Sequence, residues 1–283
     1  MGIRPGTEGA SALKSRWDAV FRTKANEEMT IANDFDTPAG VEMIGDTLYI
    51  RIVPAITAQT LAGTSEGTSP TYHTGTITRV SDTPTFGYGA VELPDHLITR
   101  LGQADAAQLE AKYRSQLLAA LDVQVDYDAG GLGPGISTVK GPGNFDKTQI
   151  LDMQTSLATN AKDHYKAGQT ECHLKYHPSQ IKYVGNIAEF ANANTRGGAD
   201  NPNVKGVILK AWGMTFAETG NINLSAGNYW NMMFVRSFAV LAWNRKPFVK
   251  PAQDFELTKR ILAECDFCTL EVFDEDAVAF KSA

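Results

Sequence analysis

The sequence has little cysteine, no long hydrophobic run and no excess of basic charge, and each shortage removes a class of protein. Cys172, Cys265 and Cys268 are the only three cysteines in 283 residues. An odd, sparse set builds no disulfide framework, and synthesis in a reducing cytoplasm is the simplest reading. No stretch reaches the roughly 20 apolar residues that a membrane-spanning helix needs. Met1-Gly2-Ile3-Arg4-Pro5-Gly6 has no apolar core of a secretory signal and no Ser or Thr at the sixth position, so neither secretion nor myristoylation is expected. The formal net charge is −6. A surface that grips nucleic acid throughout needs an excess of Lys and Arg, so that class is excluded while local basic patches stay open.

What is present is ordinary globular material, 43% apolar and 20% charged, in a chain long enough for one large domain or two smaller ones. The charge is uneven. Residues 1–24 hold Arg4, Lys14, Arg16, Arg22 and Lys24 against Glu8 and Asp18. Residues 25–50 hold Glu27, Glu28, Asp34, Asp36, Glu42 and Asp46 and no basic residue. The chain from Glu264 on is acidic except for Lys281. This pattern fits a solvated surface, and it also fits a basic arm that meets acidic surface on another copy of the chain.

Periodicity and punctuation predict the elements. A Gly-, Ser- and Pro-rich lead-in precedes a short helix over 12–29, and a loop with Pro38 follows. Strand-forming residues over 46–56, a polar tip from Thr57 to Gly75, and strands over 76–80 and 83–91 read as a long hairpin. Such a segment builds no core of its own and must lie on another surface. The clearest helix spans 105–122, with Leu109, Tyr113, Leu117 and Leu121 on one face and Asp105 and Gln108 as a capping box. Residues 130–143, with six glycines and two prolines, read as a loop. A helix over 148–162, a strand over 171–177, a helix over 179–190 behind Pro178, and a polar loop over 192–203 come next. Strand–turn–strand over 204–216, a strand-rich stretch over 230–243, and strands over 261–273 and 277–281 complete an α+β order without a βαβα rhythm.

Chemical motifs are weak. Cys265-Asp-Phe-Cys268 is a lone CxxC. On a strand its cysteines face opposite ways, so they read as buried structural residues rather than zinc ligands. Cys172, His173 and His177 are too spread along a strand for one metal ion and read as ordinary surface or interface residues. Gly131-Leu-Gly133-Pro-Gly135 lacks the Lys-Ser/Thr of a phosphate loop, and Asp122, Asp126 and Asp128 do not complete a calcium loop. No catalytic, metal or cofactor residue is expected.

The order of elements carries more than any motif. A basic arm, a long hairpin with a polar tip, one long amphipathic helix, a mixed α/β section and two closing strands follow in turn. Leu174-Lys-Tyr-His-Pro178 is a strand–Pro–helix step, and Val207 to Thr219 is strand, Gly213 turn and strand. Gly227 to Trp243 is a strand pair, and Cys268 to Lys281 is a pair of closing strands. Together they resemble the major capsid proteins of tailed bacteriophages, the Hong Kong 97 fold family. The resemblance implies an N-arm over 1–45 and an E-loop hairpin over 46–92. It implies a P-domain with a spine helix over 93–125, an A-domain over 126–248 and P-domain strands over 249–283.

It further implies a non-enzymatic virion protein, assembled in the host cytoplasm into hexamers and pentamers of an icosahedral shell. The shell would enclose double-stranded DNA without sequence specificity. A separate scaffolding protein and a portal are the implied partners, a decoration protein is a further candidate, and no membrane is involved. Assembly residues are expected at Arg16, Arg22, Lys24, Arg51, Arg79 and Tyr72. Leu109, Tyr113, Leu117, Leu121, Trp212 and Gly213 are expected to anchor the fold. One departure stands out: no lysine lies between Lys24 and Lys112, so the isopeptide bonds that some relatives form from a hairpin lysine are ruled out there. Two alternatives remain, an encapsulin-like compartment around enzyme cargo and a soluble α+β enzyme using Asp122, Asp126 and His173.

Overall fold

The computed structural model describes residues 29–38, 42–44, 47–52, 78–94, 103–187 apart from 163 and 168, 210–250, 253–255 and 258–282. The elements in chain order are β1 (Glu42–Ile44), β2 (Thr47–Ile52), β3 (Thr78–Asp82), β4 (Thr85–Pro94), α1 (Gln103–Gly130), β5 (Val139–Gly143), α2 (Lys147–Asn160), β6 (Cys172–Tyr176) and α3 (Ile181–Gly185). After these come β7 (Lys210–Ala211), β8 (Met214–Glu218), β9 (Leu224–Ser225), β10 (Asn228–Val235), β11 (Ala239–Val249), β12 (Gln253–Phe255), β13 (Thr258–Glu271) and β14 (Ala277–Ser282). The α+β class expected from the sequence is the one observed.

Helix α1 is longer than its predicted span at both ends. The stripe of Leu109, Tyr113, Leu117 and Leu121 continues through Val125 and Ala129, all packed in one core. No Gly or Pro interrupts the chain before Gly130, and Ala, Leu and Gln are good helix formers, so nothing stops the helix earlier. Asp105, expected as the N-cap, lies inside the helix, which begins at Gln103. Against α1 lies an antiparallel sheet in which β13 pairs with β11 and β12 along one edge and β4 along the other. Ile261, Ala263, Cys265 and Phe267 of β13 face the helix. A Cβ at Gly89 would stand 2.9 Å from a methyl of Leu117, and one at Gly87 2.8 Å from Cys265 Sγ. The two glycines therefore let β4 seat directly on α1.

A second sheet of seven strands runs β5-β14-β10-β6-β8-β7, with β9 also paired to β10. Met232 and Phe234 of β10 face the first core, whereas Met233 and Val235 face a second core with Ile150, Met153 and Leu157 of α2. Burial of both faces explains why β10 reads as a nearly unbroken apolar run. Asp146 caps α2, accepting from Gln149 N at 2.7 Å. Residues 139–143, predicted as loop, form the edge strand β5, parallel to β14. An edge tolerates Pro142 because a missing N–H there costs no ladder bond. The helix predicted over 179–190 shrinks to a single 3-10 turn, Pro178–Gln180, and the five residues of α3 within the described part.

The hairpin root is a three-stranded antiparallel sheet, β1-β2-β3. The strand β1 was not expected. Leu48 is buried against Val240, Ala242, Cys268 and Leu270, with Ile50 and Val80 beside it. The root thus lies on the face of β11 and β13 that is turned away from α1. Cys265 and Cys268 end in different cores, as opposite-facing strand positions should. The predicted helix over 12–29, except Met29, and the polar tip over 57–75 lie outside the described residues.

Candidate functional site: assembly surfaces

Residues 29–36 lie on the fold, and among the described residues three devices hold them there. Asp126 of α1, fully buried, accepts from Thr30 N (3.0 Å), Thr30 Oγ1 (3.0 Å), Ile31 N (2.5 Å), Ala32 N (2.9 Å) and Asn221 Nδ2 (2.9 Å). Asp34 lies between two buried side chains of β6, Lys175 and His173. Lys175 Nζ forms an ion pair with it, and His173 Nδ1 sits 2.9 Å from Oδ2, outside hydrogen-bond alignment. Burial pushes the Asp34 carboxyl up, but the combined pull of His173 and Lys175 overcomes it, and the pKa lies below its ordinary value. Third, Asp36 pairs with Val240: Asp36 N donates to Ala239 O at 3.1 Å and Leu241 N donates to Asp36 O at 2.9 Å. Ile31, Ala32 and Phe35 are buried between these points.

Of the expected assembly residues, Arg16, Arg22, Lys24 and Tyr72 lie outside the described part. Arg51 and Arg79 are direct cross-strand partners in β2 and β3, both exposed. Like charges placed opposite work against pairing by roughly 0.2–1 kcal/mol. The expected anchors lie in the cores: Leu109, Leu117 and Leu121 are buried and Tyr113 is half-buried against the first. Trp212 (φ 49°) and Gly213 (φ 77°) make the two-residue turn between β7 and β8. Positive φ at both positions is what a type I′ hairpin demands.

Sequence reasoning read Cys172 and His173 as ordinary surface or interface residues, and the structure places both inside the subunit. Both are buried, because β6 is a central strand between β10 and β8. His177, half-exposed, stacks on Tyr229 at 3.5 Å between ring centroids. Asp34, Lys175 and Asn221 were missed, since an ion pair or a cap across 95 or more residues leaves no local spacing. A pair of exposed aromatics, Phe86 and Tyr88, was also missed. The signal was legible there: Phe86-Gly-Tyr88-Gly alternates large and absent side chains, so one strand face packs closely and the other faces outward.

No protein-family model matches the chain, and no curated protein matches it by sequence. By structure it is similar to a chain of Mycobacterium phage Che8, with a TM-score of 0.65 and 17% identity over 91% of this chain and 93% of that one. It is similar to the capsid of the cyanophage P-SCSP1u, with a TM-score of 0.63 and 12% identity over 94% of each chain. It is also similar to the mature capsid of bacteriophage PhiM1, with a TM-score of 0.64 and 8% identity over 100% of this chain and 92% of that one. The chain has the Hong Kong 97 fold.

Within this Hong Kong 97 fold the three residues of the enzyme alternative serve separate partners. Asp126 is saturated by residues 30–32, His173 stands beside Asp34, and Asp122 has its carboxyl pushed up by burial. A second cluster also fails as a nucleophile relay. Ser237 Oγ donates to Asp276 Oδ2 at 2.5 Å, and His164 Nδ1 approaches the same oxygen at 2.7 Å, so the serine meets the carboxylate instead of the imidazole. Burial pushes the thiols of Cys172 and Cys268 up to about 12, which leaves both protonated and unreactive at neutral pH. Among the described residues no group of three or more His, Cys, Asp and Glu is placed to hold a metal ion. None of their helices is long and apolar enough to cross a membrane.

Proposed function

We propose that this chain is the major capsid protein of a tailed bacteriophage, which assembles into an icosahedral shell enclosing double-stranded DNA. The observation that carries the reading is a fold shared with phage capsid chains over 94–100% of this chain. Its role is structural. Assembly in hexamers and pentamers, a scaffolding protein, a portal and a decoration protein extend the same reading, as does assembly in the host cytoplasm. We divide the chain into an N-arm over 1–45, an E-loop over 46–92, P-domain segments over 93–125 and 249–283, and an A-domain over 126–248. The adjacent Arg51 and Arg79 on the outward face of the hairpin suit a carboxylate-bearing neighbour, as do Arg16, Arg22 and Lys24 on the arm. A net charge of −6 suits a DNA container, since a strongly basic wall would grip the polyanion too tightly to release it.

Electron microscopy of the purified protein under assembly conditions tests this reading. Closed shells are expected, either empty or holding DNA. A species that stays below a few hundred kilodaltons overturns the shell, and shells filled with a host enzyme favour a cargo compartment.

A further inference from the structure

Among the described residues, the outer face of the β4–β13–β11 sheet is covered over only part of its extent. The hairpin root covers Val240, Ala242, Cys268 and Leu270. The rest of that face carries the two most exposed aromatics among the described residues, Tyr88 and Phe86, together with Phe248. Tyr88 is 70% exposed, Phe86 55% and Phe248 37%. Phe86 and Tyr88 stack on each other, with centroids 6.2 Å apart and planes 25° apart. Tyr88, Glu264 and Phe248 are successive cross-strand partners, so they form one row across three strands. The aromatics have no inward alternative, because the opposite face of β4 is glycine sealed against Leu117 and Cys265.

The charges around this patch cancel: Glu92 faces Arg260 at 2.5 Å, Glu264 holds both Arg245 and Lys250 at 2.6 Å each, and Asp266, the cross-strand partner of Phe86, carries the third negative charge. The guanidinium of Arg245 also lies over the Phe248 ring at 5.6 Å. An aromatic centre inside a charge-neutral polar rim is the anatomy of a protein–protein contact. It lacks the basic excess that a nucleic acid or an anionic membrane would need. The same strand is also an edge of the sheet as described. Among the described residues β4 pairs only with β13, and its ten residues contain no lysine and a single terminal proline. Edges that stay solvent-exposed are usually blunted by such residues.

We propose that the face and edge of β4, centred on Phe86 and Tyr88, dock a second copy of this chain. The inference rests on the shell reading, in which every copy has identical copies beside it, and it names one surface through which they meet. The neutral rim lets the same contact repeat around a shell without accumulating like charge.

The test is photo-crosslinking in the full-length protein, with p-benzoylphenylalanine replacing Tyr88. Irradiated particles should give a boiled-gel band at twice the 30.7 kDa subunit mass, at least tenfold stronger than from disassembled subunits. Its cross-linked peptide should come from a second copy. A crosslink confined to one chain, a crosslink to a different protein, or no crosslink in intact particles overturns the proposal while leaving the shell reading in place. A wild-type protein that forms no particle at all removes the shell reading and this inference with it. As a second arm, the double variant Phe86→Ser, Tyr88→Ser should melt like the wild type by circular dichroism, because both side chains are exposed. Its particle yield should fall at least tenfold, and an unchanged yield overturns the contact.

Discussion

Asp126 is the residue on which the seating of residues 29–36 depends. A buried carboxylate survives only when its charge is answered, and here five donors converge on its two oxygens. Asp126→Ala leaves those donors without a partner in the core, and each such loss costs about 1–3 kcal/mol without strict additivity. The expected total is about 3–5 kcal/mol, read as a lower urea midpoint, with Asp126→Asn losing roughly half as much because one acceptor oxygen remains. A wild-type midpoint for the alanine variant would show that residues 29–36 are held elsewhere. Asp34 has a pH signature. Its folded-state pKa lies below the ordinary 3.8, so its stabilising contribution is present above that value and fades as pH falls through the lower folded-state one. Asp34→Asn should therefore be less stable than wild type at pH 6, and the gap should close below about pH 4. A gap that stays constant from pH 6 to pH 3 would mean the carboxylate contributes nothing through its charge.

At the scale of elements, two tight turns set how the second sheet is connected. The β7–β8 hairpin turns through Trp212-Gly213 and the β9–β10 hairpin through Ala226-Gly227, with positive φ at all four residues. A β-branched side chain at position 213 resists that conformation. Gly213→Val is expected to destabilise the subunit by about 1–3 kcal/mol and to lower the yield of soluble protein. Wild-type thermal stability in this variant would mean that the turn accepts another shape. The length of α1 is likewise an element-scale property. It is set by how far its apolar stripe finds a facing sheet, which is why the helix continues through Val125 and Ala129 to Gly130.

At the scale of the whole molecule, the hairpin divides into a root that belongs to the subunit and a tip whose sequence has no large apolar cluster. Leu48, Ile50 and Val80 tie the root to β11 and β13. Replacing residues 57–74 with a short Gly-Ser turn should leave circular dichroism melting nearly unchanged while blocking closed shells in sedimentation. Full-sized shells from this variant would show that the tip plays no part in assembly, and an unfolded subunit would place it in the core. Boiled wild-type particles should run as one band near 30.7 kDa, because no lysine lies between Lys24 and Lys112 to form an isopeptide bond. A ladder that survives reduction would contradict this.

Local order was legible in the sequence wherever a repeating pattern met a single partner. The stripe of Leu109, Tyr113, Leu117 and Leu121, the Trp212-Gly213 turn, the opposite-facing Cys265 and Cys268, and the order of hairpin root, helix and sheet were read from the residues alone. These are near-neighbour properties, set by side-chain period and by the φ that glycine permits. Only the tertiary structure decided what lies beneath each face. His173 read as a surface or interface residue and Lys175 carried no local signal, yet Asp34, distant in sequence, makes their burial in a central strand tolerable. Glycine and proline over 139–143 read as loop, yet β14 offers them an edge to pair with. Asp126 resembled one more acidic side chain of an acidic protein until the backbone of residues 30–32 was folded onto it. The physical reason is common to all three: the worth of a charge or of an unpaired backbone group is set by what surrounds it, and those surroundings come from residues far apart in the chain.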